Sequence, residues 1–122
     1  MFCERKSVTI TTDTNGDATD YVGSMTGKII QIQYVKDDYD NGSTITITGE
    51  DTAIPILAET GINASATRSP RQATHSVAGV AATYDGTRAV FDDICIERER
   101  VKIVVSSGGN TKSGTFHVTV GG

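Results

Sequence analysis

The sequence predicts an all-β protein, an antiparallel β-sandwich or jelly-roll-like barrel carrying one long ordered arm over residues 61–86. Three observations predict it. Short runs alternate apolar and polar residues with the two-residue period of a half-buried strand, as in "SVTITT" (7–12), "STITITG" (43–49) and "TFHVTV" (115–120). Turn-forming residues separate such runs, with Asn-Gly inside both "DTNGD" and "DDYDNGS". The apolar content is mainly Val, Ile and Ala, with 13 Gly and no Trp, which suits pleated sheets and tight turns. No segment carries a sustained helical period; "VAGVAATYDG" offers one turn at most, weakened by its glycines.

Each element follows in order. "SVTITT" turns Val8 and Ile10 to one face, and "DTNGD" (13–17) reads as a hairpin turn. A short strand follows through Tyr21 and Val22. "GKIIQIQYVK" (27–36) is the strongest strand, with Ile30, Ile32 and Tyr34 on one face and Gln31 and Gln33 on the other. "STITITG" buries Ile45 and Ile47 behind a threonine ladder. "AIPILAET" (53–60) contains Pro55, which cannot donate to a ladder, so it belongs at a sheet edge or a break. "TRAVFDD" and "ICI" are strand-like. Ile94 and Ile96 have the opposite parity to Val101, Ile103 and Val105, so a turn or bulge is expected at "ERER" (97–100). "SGGNTKSG" (107–114) reads as a loose hairpin loop before the closing strand, where Phe116, Val118 and Val120 point inward.

The 122 residues suit one domain, 1–122, large enough for a core without staples. A net charge of −4 argues against direct nucleic-acid binding. No apolar run approaches the ~20 residues of a membrane span. "MFCERKS" lacks the apolar stretch of a signal peptide, so synthesis and folding in a cytoplasm are expected. Cys3, near a terminus expected to fray, and Cys95 read as free thiols.

Candidate chemistry is sparse. Asp13, Asn15 and Asp17 resemble the start of a calcium loop, but Ala18 and Ser24 stand where that loop needs Gly and a bidentate Glu. His75 and His117 have no ligand-spaced partner, and no nucleophile elbow is present. The expectation is therefore no catalytic residues, no metal and no cofactor. Tyr21, Tyr39 and Tyr84 are too scattered to favour a glycan-binding face.

The long segment containing "RSPRQATHSVAGVAATYDGT" (68–87) is too long for an ordinary connection. Its stiff Pro70, its small apolar residues and its basic groups suit either an arm that docks on a neighbour or a cover over one end of its own sandwich. The residues expected at a protein contact are Arg68, Pro70, Arg71, His75 and Arg88, with Arg98 and Arg100 next. Arginine forms bidentate carboxylate pairs that lysine cannot.

The runs "TTDTNGDATDYVGSMTGKIIQIQYV", "ITITGE", "NASATRSPRQATHSVAGVAATY" and "ERVKIVVSSGGNTKSGTFHV" together resemble a family of small virion proteins of tailed bacteriophages and prophages. The resemblance covers nearly the whole chain and brings no catalytic residues. It implies a structural part of the particle, foremost a head decoration (cement) protein on the capsid surface. Its implied partners are the major capsid protein and further copies of itself as a dimer or trimer. A head–tail connector or tail ring component is the alternative it leaves, and a receptor- or glycan-binding module a further one.

Overall fold

Alternation places the strands and glycine bends them. The computed structural model describes residues 3–122, with strands β1 (Cys3–Thr11), β2 (Ala18–Lys36), β3 (Ser43–Gly49), β4 (Pro55–Ile62), β5 (Ala66–Arg68), β6 (Arg71–Ala73), β7 (Phe91–Ser106) and β8 (Ser113–Gly121). The described chain is all-β and its strand pairings are antiparallel, in the order β1-β8-β2-β7-β3-β4. β5 pairs with β2 and β6 with β7. Cys3 is not frayed: it opens β1, opposite Gly121.

The two expected strands around Tyr21 and Ile32 are one element, the 19-residue β2. Its first half pairs with β7 and its second half with β8. Lys28 marks the exchange, opposite both Cys95 and Gly121. The neighbouring Gly27 has φ 138°, and a Cβ there would lie 2.7 Å from the Gly121 carbonyl oxygen, so only glycine allows this approach. β2 thus serves both layers of a β-sandwich-like fold, one carrying β1 and β8, the other β7, β3 and β4. Their inward residues, among them Ile32, Phe116 and Val118 from one side and Ile47, Val101 and Ile103 from the other, form one buried core.

Two registers differ from simple alternation. Ile29 rather than Ile30 enters the core, because the β2–β8 register shifts between Ile29 and Gln31 and leaves Ile30 half-buried. The expected bulge at "ERER" is present. The β2–β7 register shifts between Met25 and Gly27, and Arg98 has φ 50° with its N–H donated to Thr26 Oγ1 at 3.1 Å. The bulge separates the two glutamates that strict alternation would put on one face. Glu97 is exposed, while Glu99 is buried and accepts hydrogen bonds from the Asp51 and Thr52 N–H groups and the Thr52 hydroxyl. Glu99 therefore closes the β3–β4 turn, and Gly49 leaves room for it: a Cβ there would sit 2.2 Å from Glu99 Oε1.

The expected hairpins at "DTNGD" and "SGGNTKSG" are crossovers instead, because β1 does not pair with β2, nor β7 with β8. The turn residues are right, but the chain they reverse changes layer. Residues 12–17, 37–42 and 107–112 gather at one end, joined backbone to backbone: Thr12 N–H to Lys112 O (2.8 Å), Asp40 N–H to Gly108 O (2.9 Å), Gly108 N–H to Gly16 O (3.0 Å) and Thr111 N–H to Asp13 O (3.1 Å). Tyr39 plugs the centre. Its hydroxyl donates to Ile10 O at 2.6 Å, and Tyr34 stacks between it and Phe116, with centroids 6.1 and 5.1 Å away.

A β-carbon at Gly114 would lie 2.5 Å from Tyr39 Cε2 and 3.1 Å from Tyr34 Cε1. Gly114→Ala is therefore expected to lower unfolding free energy by about 1–3 kcal/mol in a denaturant titration, the usual cost of overpacking. Burial pushes the Tyr34 hydroxyl up to about 12 and raises that of Tyr39 further. Both folded values lie above the ordinary 10.0, so the unfolded chain releases these protons first as pH rises. Stability is expected to be unaffected by these groups below pH 10 and to fall from there through about 12, with Tyr34→Phe flattening the decline.

Candidate functional site

The expected arm over 61–86 is regular only at its start. β4 runs through Ile62, and β5 and β6 occupy 66–68 and 71–73. What leaves the sandwich is a projection over residues 74–90. Three backbone bonds close it at its base: Thr74 N–H to Val90 O (2.8 Å), Val90 N–H to Ala82 O (3.0 Å) and Ala82 N–H to Thr74 O (2.9 Å). The three residues form a ring in which each donates to the next. Two tight turns extend from it. One joins Ser76 to Val80, behind the His75–Ala81 bridge; the other joins Tyr84 to Arg88, behind the Thr83–Ala89 bridge. Gly79 (φ 77°) and Gly86 (φ 81°) supply the left-handed positions of these turns. The Asp85 carboxylate accepts from the N–H groups of Arg88 and Thr87, which hold it below the usual carboxylate range.

The order in this projection is local, and its side chains are left over. Val77 is fully exposed and Val80 and Tyr84 are each 64% exposed, with Val90 at the margin; Phe91, the first residue of β7 at the foot of the projection, is 60% exposed. Val35 is the other large apolar residue exposed among the described residues. Isolated exposed apolar residues need no explanation, but several on one protrusion make it the candidate interaction surface. At its base, a cleft of about 340 Å³ opens between β3–β4 and β6, lined in part by Ile47, Pro55, Leu57, Gln72 and Ile94.

Arg68, Arg71, Arg88 and Arg100, expected to reach a neighbour, have carboxylates of their own chain. Arg68 grips Glu59 through two bonds of 2.8 and 3.1 Å, which raises its affinity for its proton. Arg71 meets Asp93 at 2.8 Å and Arg88 meets Asp85 at 3.4 Å. Arg100 forms a two-pronged pair with Glu50, lowering that carboxyl's pKa, and lies over the Tyr21 ring at 4.1 Å. Arg98 has no carboxylate within ion-pair distance among the described residues. His75 is exposed on the projection, whereas Pro70 is buried in the link between β5 and β6. Arg68 and Arg71 thus stand at the root of the projection, Arg88 and His75 on it, and Arg98 and Arg100 on β7.

The remaining candidates are also placed. Tyr39 is core, so it offers nothing to a sugar. Asp13 spends its Oδ1 on the N–H groups of Asn15 and Asp17, as turn chemistry requires. Cys3 and Cys95 are free and exposed. His117 Nδ1 is hydrogen-bonded to the Ser7 hydroxyl on the outer face of β8. No helix among the described residues is long and apolar enough to cross a membrane. Comparison with protein-family models, curated proteins and solved structures finds no match for this chain.

Because the projection's apolar side chains contribute nothing to the core, Val77→Ser combined with Phe91→Ser is expected to change unfolding free energy by no more than about 0.5 kcal/mol per site. Thermal and denaturant unfolding check this.

Proposed function

We propose that this protein is a structural component of a tailed-phage virion, a head decoration (cement) protein that docks on the capsid surface through the projection at 74–90 and the adjoining Phe91. The observation that carries the reading is the exposure of Val77, Val80, Tyr84 and Val90 on a projection whose backbone is already ordered, with Phe91 exposed at its foot on β7. A pre-ordered apolar contact loses less conformational entropy on binding than a flexible one. The partners are the major capsid protein and other copies of the same chain, with neither nucleic acid nor membrane involved. The paired arginines at the root stiffen the mount, and the apolar tips make the contact.

Function then follows from mass action. A protein that binds the finished shell and not its precursors stabilises that shell by its binding free energy, summed over many equivalent sites. The resemblance of the chain to small virion proteins supports this reading.

The test is copy number in purified particles, measured by quantitative mass spectrometry against the major capsid protein. Near-equimolar protein is the expected result, and Val77→Asp with Phe91→Asp is expected to deplete it from particles while leaving the free protein folded. A few copies per particle would move the protein to the neck or tail ring, and absence would remove it from the virion.

A further inference from the structure

The cations of this chain are unevenly committed. Arg68, Arg71, Arg88, Arg100 and Lys6 each have a carboxylate within ion-pair distance, and the Lys36 ammonium donates to Asn41 Oδ1 (2.7 Å) and Asn63 O (3.0 Å). Arg5 and Lys28 are exposed, and neither has a carboxylate within that distance among the described residues. Register brings these two together. Arg5 lies opposite Thr119 and Lys28 opposite Gly121, so they flank β8 from its two sides on the outward face. Two strand spacings and two residues of rise put their Cα atoms about 12 Å apart.

No carboxylate shares that face. The outward positions of β1, of β8 and of 28–36 in β2 carry hydroxyl, amide, imidazole, thiol and apolar groups beside the two cations. Glu4 has the opposite parity and meets Lys6 at 3.6 Å, and Glu97 lies on β7, outside these three strands. The negative charge is concentrated elsewhere. Residues 12–17, 37–42 and 107–112 hold five aspartates and one lysine, which accounts for the whole net charge of −4. The first two of these loops follow Thr11 and Lys36, the ends of β1 and β2 away from Arg5 and Lys28. The face is also stiff. Ser7 bonds to His117, Thr9 to Thr115 (3.1 Å) and Thr11 to Ser113 (2.8 Å), three successive rungs between β1 and β8.

We propose that the outer face of β1, β8 and residues 28–36 of β2 receives an acidic segment of a partner protein, with Arg5 and Lys28 each meeting one of its carboxylates. Complementary charge steers and orients such an encounter, and arginine grips a carboxylate through two parallel bonds. Carboxylates set to meet cations about 12 Å apart lie roughly three or four positions apart on an extended segment. The hydroxyl and amide groups of the face both donate and accept, as the peptide groups of such a segment require. Nucleic acid and polyphosphate fit less well, because phosphate binding draws on many cations and this face has two. The bonded hydroxyl rungs lower the entropic cost of docking. The surface includes nothing of the projection, so the inference stands apart from the virion reading.

An NMR titration of the full chain in low-salt buffer with poly-L-glutamate tests this, alongside Arg5→Gln combined with Lys28→Gln. Both side chains are exposed and unpaired, so the double variant is expected to keep the wild-type melting temperature. Poly-L-glutamate is expected to shift the amide resonances of β1, β8 and 28–36. The double variant is expected to bind it roughly two- to thirtyfold more weakly, the span of two exposed ion pairs. Inorganic polyphosphate of matched charge is the competing probe and is expected to bind less tightly. Absence of shifts, shifts centred on other strands, wild-type affinity in the double variant, or tighter binding of polyphosphate each overturns the proposal.

Discussion

The crossing of the chain between layers at one end of the sandwich is the constraint on which the rest of the structure depends. Residues 12–17, 37–42 and 107–112 all change layer there, and none of them is a simple hairpin that could form with its own neighbours alone. Each loop's backbone groups find partners in another loop, so the three order together. Tyr39 makes that end part of the core, filling it with a ring and satisfying the Ile10 carbonyl. Glycine at 114 leaves the space that the ring occupies. Ser107 and Thr111, both at positive φ, absorb the backbone strain of the last crossover. Such long-range pairing has to be completed before it is rewarded, which places this fold among slow-folding topologies.

Much of the architecture is legible in the sequence because the two-residue period is a direct image of one buried face. Ile45, Ile47, Phe116, Val118 and the bulge between Ile96 and Val101 could be read this way, since parity changes only where a residue is inserted. Other features are hidden for definite physical reasons. Ile29 and Ile30 are chemically identical, and only pairing with β8 decides which enters the core. "DTNGD" encodes a reversal, but not whether the strand it launches lies beside the previous one or across from it. Glu99 looks like one charge in a solvated run, and its burial depends on a turn almost fifty residues away.

The candidate site was legible as a segment more than as residues. Length, composition and poor strand pattern isolate the region after β4. The paired carboxylates of Arg68, Arg71 and Arg100, namely Glu59, Asp93 and Glu50, come from other elements and leave no local mark. Phe91 reads as the start of a strand, which it is, yet its side chain stands in solvent because nothing covers β7 there. Exposure of that kind is a property of what is absent nearby, and alternation in a single run carries no record of it.

The ring of bonds joining Thr74, Ala82 and Val90 has a consequence for variation. It uses main-chain groups, which any residue except proline provides, and it closes the projection without help from the tips. The identities of residues 77, 78 and 84 are therefore nearly decoupled from the sandwich below, whereas Asp85 is held to its turn by the Thr87 and Arg88 N–H groups. Side chains at the tips can therefore be replaced one at a time without passing through poorly folded intermediates. The core, with its shared β2 and its interlocked crossovers, has no such freedom.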